Sequence, residues 1–512
     1  MPCRDVSIAA RKPPNEDASG ERWVLVATVL GSSMEFIDGT VVNVSLPSIQ
    51  NAFHATGSQV QWVVEAYALF LSALILVGGS LGDRFGLRRC FVAGVIVFAG
   101  ASAWCGIAPS IEQLLLARCL QGIGGALLVP NSLALLSASF TEAKRGRAIG
   151  TWSGFASMMT ALGPILGGWM VQHGSWRLVF FLNLPLALAT IWITLRKTVD
   201  IPPELEQRKL DWVGAILGTL GLSAVTFSLM QWSSSGEHAP LIGLGGVIVL
   251  TIFVIVERRT TAPMMPLDLF RNRSFTGANL LTFFLYGALS SALFYLPLNL
   301  IQVQGYSPSE AGAALLPFVV TMFLLARWAG GLIERRGPRA PLIIGPVLAA
   351  LGYALLARPG LGGSYWTTYF PAMVLLGLGM TISVAPLTTV VMSSVDQRRT
   401  GSASGVNNAV SQVAALLALA LSAPLFFHVF SGSLSDALTK NSVGPVTLKA
   451  VQLQASRLAA IQTEDPLARL SINQAFVSGF RLIALFASGS AAAAGGIAAL
   501  TIAGSRPKGT RA

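Results

Sequence analysis

The stretch GSQVQWVVEAYALFLSALILVGGSLGDRFG, residues 57–86, has a counterpart in PSEAGAALLPFVVTMFLLARWAGGLIERRG, residues 308–337. In that register Ser58 falls on Ser309, Gly79 on Gly330, Asp83 on Glu334, Arg84 on Arg335 and Gly86 on Gly337. Each copy is an apolar run that ends in glycines, an acid and arginines. Each therefore reads as a membrane-crossing helix followed by a tight, charged turn. A second match follows in the same order, GRAIG (146–150) on GSASG (401–405). Matching loops in matching order predict two bundles of one topology and one orientation.

Composition fixes the medium those bundles occupy. The 512 residues are 53% hydrophobic and 11% charged, against about 25% charged in soluble domains. Such a chain cannot hide its apolar surface in one water-soluble core, and it reads as an all-α integral membrane protein. Apolar runs place fourteen spans, roughly at 23–45, 58–80, 90–108, 113–139, 148–171, 176–195, 211–232, 241–257, 274–300, 308–333, 340–357, 365–393, 401–430 and 477–504. The spans at 211–232 and 241–257 belong to neither repeat, so the count is six, two and six. The expected organisation is a tail at 1–22, a first six-helix bundle at 23–200, two inserted spans at 201–262, a second bundle at 263–505 and a tail at 506–512. The stretch 431–475 is expected to be a long extracytoplasmic loop, either a short helix or hairpin over the outer mouth or a tolerated surface insertion.

The net charge of +12 is explained by topology. Of 35 Lys and Arg, six (Arg177, Arg358, Lys440, Lys449, Arg457 and Arg469) fall in loops on one side and three (Arg118, Arg327 and Arg481) within spans. The remaining 26 lie on the other side, which the positive-inside rule assigns to the cytoplasm together with both termini. No nucleic-acid partner is implied. The first 22 residues lack the apolar core of a cleavable signal. The cysteines (Cys3, Cys90, Cys105 and Cys119) and the four histidines form no ligand-spaced cluster, so neither a metal nor another cofactor is expected.

Within the spans, three acids stand out: Glu35, Asp38 and Glu65. A charge at the bilayer centre costs at least ~2.5–3.5 kcal/mol, so its presence points to a functional site. Gly31, Glu35, Asp38, Gly39 and Asn43 form a small or polar stripe at helical spacing, expected to face a cavity. Gln61, Glu65 and Ser72 do the same in the second span. Carboxylates in so dry a setting cannot all ionise freely, so their titration is expected to be coupled, with Arg118 holding one of them charged. Spans nine to fourteen carry no deep acid. They offer Phe283, Phe284, Tyr286, Phe294, Tyr295, Asn299, Asn407, Asn408 and Gln412, a wall suited to amphipathic or aromatic cargo as well as to ordinary helix packing. Parallel repeats around a midplane cavity are one plan of secondary transporters.

Three motifs carry a resemblance to a known family. GGSLGDRFGLRR (78–89) resembles the loop signature G-x-L-[AG]-D-R-x-G-[RK]-[RK] of the major facilitator superfamily. It supplies Gly79, Gly82, Asp83, Arg84, Gly86 and Arg88, with Leu87 where a basic residue is usual. ALGPILGGWM (161–170), with Gly163, Pro164, Gly167 and Gly168, resembles the G-P-x-x-G-G element of that superfamily's proton-coupled exporters. ARCLQGIGGALLVPNS (117–132) resembles their R-x-x-Q-G motif through Arg118, Gln121, Gly122 and Gly125. IDGTVVNVSLP (37–47) completes a likeness to fourteen-helix drug:proton antiporters that spans nearly the whole chain. That likeness implies the major facilitator fold and proton-coupled export of amphipathic or aromatic drugs across the cytoplasmic membrane by a monomer, without a cofactor. It also implies a proton-handling role for Asp38, which occupies the motif's acid; Glu35 and Glu65, more specific to this sequence, are expected as its coupled partners, with Arg118 beside them. Asp83 would brace the helix starting near Gly401, and Asn43, Gln61, Gln121, Tyr286, Tyr295, Asn407, Asn408 and Gln412 would line the cargo cavity. A dedicated exporter of one natural product, lipid or siderophore, an importer, and a non-transporting scaffold remain as alternatives. No P-loop or nucleophile elbow suggests an enzyme.

Overall fold

The computed structural model describes residues 18–140, 142–198, 211–231, 238–260, 263, 265–330, 332, 337–395 and 400–502. Among these residues there is no strand. In chain order the helices are α1 (Ala18–Phe53), α2 (Gly57–Phe85), α3 (Leu87–Ile107), α4 (Ile111–Ser139), α5 (Glu142–His173), α6 (Leu178–Phe181) and α7 (Asn183–Lys197). The two inserted helices are α8 (Trp212–Gln231) and α9 (Ala239–Arg259). Then follow α10 (Arg273–Leu298), α11 (Pro308–Ala313), α12 (Leu316–Gly330), α13 (Arg339–Leu356), α14 (Tyr365–Thr368), α15 (Phe370–Ser393), α16 (Thr400–Lys440), α17 (Pro445–Leu453) and α18 (Pro466–Thr501). Thirteen segments among the described residues are long and apolar enough to cross a membrane. The 32-residue α5 adds a fourteenth long helix, so the protein is an all-α, multi-pass membrane protein.

Helix starts are written into the sequence. Thr56 and Gln59 form a reciprocal cap at the start of α2, as Ser307 and Glu310 do at the start of α11. These caps occupy equivalent places in the two repeats and satisfy backbone N–H groups that a first turn leaves unpaired. At the other end of each repeat unit the turn glycines Gly86 and Gly337 both take positive φ, +99° and +71°, a conformation that costs other residues more. The internal repeat is therefore conformational as well as chemical.

The first bundle packs α1 on α5 and α4 on both α2 and α3. Close approach in the latter depends on Gly122 and Gly124, where an added Cβ would lie 2.5 Å from the Tyr67 carbonyl oxygen and 2.5 Å from the Phe98 nitrogen. The second bundle joins α10, α12, α13, α15, α16 and α18. The inserted α8 and α9 pack on each other, and α8 also touches α2 and α16 through a cluster of Leu69, Ala73, Leu222 and Leu416. They sit against the seam between the bundles.

The long connection is shorter than its sequence suggests. Helix α16 continues to Lys440 and α18 begins at Pro466, leaving 441–465 between them. Phe430, Leu434 and Leu438 at one helical face, and Ala468, Ile472 and Phe476 at the other, are all buried. That apolar stripe extends both helices beyond the roughly 20 residues a bilayer requires. The connection carries α17 and a 3-10 turn, Ala455–Ala460, and it lies over the junction of the bundles.

Candidate functional site

An ion pair is sealed inside the first bundle. Arg118 Nη1 of α4 lies 2.6 Å from Asp38 Oδ2 of α1, and the two side chains are 1% and 0% exposed. Both carboxylate oxygens of Asp38 and the Nε and Nη1 groups of Arg118 are engaged. Arg118 Nε donates to the Val63 carbonyl oxygen (2.8 Å) and Nη1 to Gln121 Oε1 (2.8 Å). Its guanidinium carbon lies 4.4 Å from the centre of the Tyr67 ring. Asp38 Oδ1 accepts from Gln121 Nε2 (2.8 Å) and from Asn183 Nδ2 (3.5 Å), and Asn183 Nδ2 also reaches Ser102 Oγ (3.0 Å). Five helices, α1, α2, α3, α4 and α7, thus meet at one charge pair. A buried pair of this kind persists only when its remaining donors and acceptors are satisfied.

The expected stripe on α1 divides in two. Asp38 stands about 60° to one side of Glu35 around a 3.6-residue helix, and Asn43 about 80° to the other. Asp38 is accordingly turned into the bundle, and Gly31 is covered by Phe91 and Thr190. Glu35, Thr40 and Asn43 are half-buried, Gly39 is exposed, and nothing lies within 4 Å of where a Gly39 Cβ would be. Glu35 is the one of the three deep carboxylates that keeps accessible surface. Glu65 is fully buried on α2; its Oε1 accepts from Gln61 Nε2 (3.3 Å), whose amide also donates to the Leu419 carbonyl oxygen of the second bundle (2.6 Å).

The cavity residues expected from sequence fall into three places. Asn408 is exposed, and Gln412 and Tyr286 are half-buried. Gln121 is fully buried, its amide taken up by Asp38 and Arg118. Asn407 likewise turns into the second bundle, where it donates to Asn279 Oδ1 (3.1 Å) and Thr282 Oγ1 (2.7 Å). Gln61 and Tyr295 border a separate chamber near the 441–465 connection. Sequence reasoning missed Asn183, Ser102 and Tyr67. The signal for Asn183 was present, a lone amide in the apolar run VFFLNLPLAL (179–188).

The glycine motif of α5 forms a knuckle between the bundles. A Cβ on Gly163 would collide with Thr40 Oγ1, and one on Gly167 would lie 2.6 Å from Val41 Cγ2. On the far side of α5, a Cβ on Gly168 would meet the Pro308 carbonyl oxygen, and one on Gly312 the Pro164 carbonyl oxygen. Backbone here touches backbone across the bundle boundary, on the side of the molecule that carries the 441–465 connection. Gln50 Oε1 accepts from Gln302 Nε2 (2.8 Å) on the same side. The bundles are therefore closed against each other there.

At the opposite end, Arg88 donates from Nε to the Thr194 carbonyl oxygen (3.1 Å) and from Nη2 to that of Leu195 (2.7 Å), capping the C-terminus of α7. Gly82 lies so close to Asn131 that no side chain fits, and Gly79 faces Pro130. Arg84 is exposed over the Phe85 ring. The backbone at Asp83 and Gly401 is helical, but the Asp83 side chain, and hence the expected brace to the helix start near Gly401, is not among the described features.

Two pseudo-equivalent six-helix bundles, a helix pair at their seam and a charge pair buried in one bundle define a two-bundle transporter fold. The family model of the Major Facilitator Superfamily matches residues 28–419, and the chain belongs to that family. It is 34% identical over 433 residues to the multidrug resistance protein Stp of Mycobacterium tuberculosis, covering 82% of this chain and 79% of that one. It is 33% identical over 509 residues to the tetracenomycin C resistance and export protein of Streptomyces glaucescens, covering 95% and 93%. A bacterial homologue of the human lysosomal transporter Spinster, solved in an inward-facing and unoccupied conformation, superposes with a TM-score of 0.66 at 19% identity over 94% of this chain and 98% of that one.

Proposed function

We propose that this chain is a proton-coupled exporter of small amphipathic or aromatic molecules, working by alternating access as a monomer in the cytoplasmic membrane. Both termini are cytoplasmic, and the 441–465 connection faces outward. The observation that carries this reading is the placement of the Asp38–Arg118 pair on the helix that also seats the α5 knuckle. Asp38 grips α4 from one face of α1. Two and three residues further on, Thr40 and Val41 receive Gly163 and Gly167 of α5. Helix α5 in turn touches the backbone of α11 in the other bundle.

A proton delivered to Asp38 removes the charge that holds Arg118, so α1 is free to shift against α4. The shift travels through packed contacts into the knuckle, a contiguous physical route between proton and gate. Glu35, one turn away and reachable by solvent, is the relay to water, and Glu65 is a second acid at the seam. The membrane potential contributes ~2.3 kcal/mol per charge per 100 mV to such a step. Small-molecule cargo binds in the space faced by Asn43, Asn408, Gln412 and Tyr286.

A second reading, dedicated export of one natural product, is supported by the relative named for tetracenomycin C, which matches 95% of this chain. Efflux of ethidium from cells, with and without a protonophore, tests the main reading. Protonophore-insensitive efflux refutes proton coupling. Absence of ethidium efflux together with efflux of a single compound from a chemically diverse panel selects the dedicated exporter.

A further inference from the structure

We propose that the chamber beneath the 441–465 connection is a second small-molecule site, specific for uncharged planar aromatic molecules that carry an N–H donor. The chamber measures about 420 Å3, within the range of drug-sized pockets. Its walls come from both bundles: Gln50 and Trp62 on one side, Phe294, Tyr295, Phe426 and Phe476 on the other. Gln61 lies at its edge, fixed by its bond to the Leu419 carbonyl oxygen of the second bundle.

Three features mark this chamber as more than a packing gap. The first is its chemistry. No charged side chain lines it, so a permanent cation would be desolvated there without a partner. The rings form a continuous, nearly buried aromatic cluster whose edges border the chamber: Tyr295 stacks on Phe426 at 4.6 Å and 8°, and Phe294 and Phe476 approach edge-on at 4.9 and 5.0 Å. A planar aromatic guest suits such a surface.

The second is the π-helical turn Asn299–Val303 that continues α10, a rare backbone form that is frequent at functional sites. It contributes Gln302 to the lining of the chamber and of the more open pocket beside Asn51, Ile461 and Arg469, and among the described residues Gln302 Oε1 has no hydrogen-bond partner. A buried acceptor left unpaired is unfavourable until a donor reaches it.

The third is the roof. Ser456 and Leu458 close the chamber, and Leu458 takes φ +56°, a conformation unfavourable for a bulky side chain. Such strain persists where surrounding contacts impose it, characteristically at ligand clamps. Here Leu458 packs into the space left by Gly57, where a Cβ would lie 2.6 Å from Leu458 Cδ1. The neighbouring Arg457 carbonyl oxygen accepts from Gln50 Nε2 at 3.0 Å. A segment joined to the second bundle is thus latched onto the first, and separating the bundles at this end lifts the roof.

The test needs no proton gradient, so its outcome is independent of whether export is proton-driven. Full-length protein in lipid nanodiscs is titrated with 2-aminoanthracene, a neutral planar amine, with protein-free discs subtracted; anthracene and ethidium serve as comparators. Saturable 2-aminoanthracene binding is expected, about three- to tenfold tighter than anthracene, the range one hydrogen bond confers. Gln302→Leu should erase that difference while anthracene binding stays unchanged. In a background with Cys3, Cys90, Cys105 and Cys119 replaced by Ser, Ser456→Cys should react with maleimide several-fold more slowly when 2-aminoanthracene is bound and at an unchanged rate with ethidium. Equal affinity for amine and hydrocarbon, or labelling of Ser456→Cys that the amine leaves untouched, overturns the proposal.

Discussion

Replacing Asp38 by Asn tests the site at its centre. The carboxamide keeps the size of the side chain but removes the charge facing Arg118 at 2.6 Å. Breaking a buried pair by losing one partner costs about 3–5 kcal/mol. The lower end is expected here, because Arg118 keeps the Val63 carbonyl, Gln121 and the Tyr67 ring. About 3 kcal/mol corresponds to roughly a 100-fold change in the folded-to-unfolded ratio. Arg118→Met should cost a similar amount, leaving Asp38 with Gln121 and Asn183 alone. The double variant carries no buried charge, so its loss should fall at least about 2 kcal/mol short of the sum of the single losses. Unfolding of the purified protein in mixed micelles, titrated with SDS, measures all three. Losses that add to within about 0.5 kcal/mol would show the two groups to be energetically independent and refute the pair as a unit. Protonophore-sensitive efflux should be absent in all three variants, including the double variant that stays folded. Normal efflux from the double variant would remove the pair from coupling.

Gly168→Val should reduce efflux more than tenfold without loss of folded protein, because its side chain would meet the Pro308 carbonyl oxygen when the bundles close; wild-type efflux would show that this contact is not part of the cycle. Asn183→Leu removes a donor from Asp38 and from Ser102 and should cost about 1–3 kcal/mol in the same SDS titration. Arg88→Gln gives up two charge-assisted bonds to the end of α7. Because Arg88 is only half-buried, a loss of about 1 kcal/mol is expected, read as earlier proteolysis at the junction that follows Lys197.

Much of the architecture was legible before any coordinates. The repeat of 57–86 at 308–337 gave the two bundles, and its capping residues and turn glycines recur in the structure at matching places. Arg118 and Gln121, three residues apart and so on one helical face, are hydrogen-bonded to each other. The α1 stripe was less readable. Residues three and four apart share a helix face only broadly, and a spread of about 140° from Asp38 to Asn43 lets one group turn inward while the other meets solvent. Gln121 and Asn407 were misplaced for a related reason: an amide in a membrane helix satisfies itself on a neighbouring helix as readily as on a cargo, and sequence does not record which neighbour is nearest. The ends of α16 and α18 were misjudged because hydropathy marks where lipid stops, whereas these helices continue on each other's apolar faces.

By itself the sequence determined the medium, the two-bundle plan and the chemical groups available at the bilayer's depth. Hydrophobicity, helical period and the cost of buried charge are properties of one segment at a time. The tertiary structure alone decided that Asp38 would be sealed against Arg118 while Glu35 kept accessible surface, and that α5 would touch Pro308 and the α11 backbone. It also decided that 455–460 would roof a chamber between the bundles. Those outcomes depend on which helices lie side by side across hundreds of residues, and pair distances of a few ångströms are fixed only when the bundles pack.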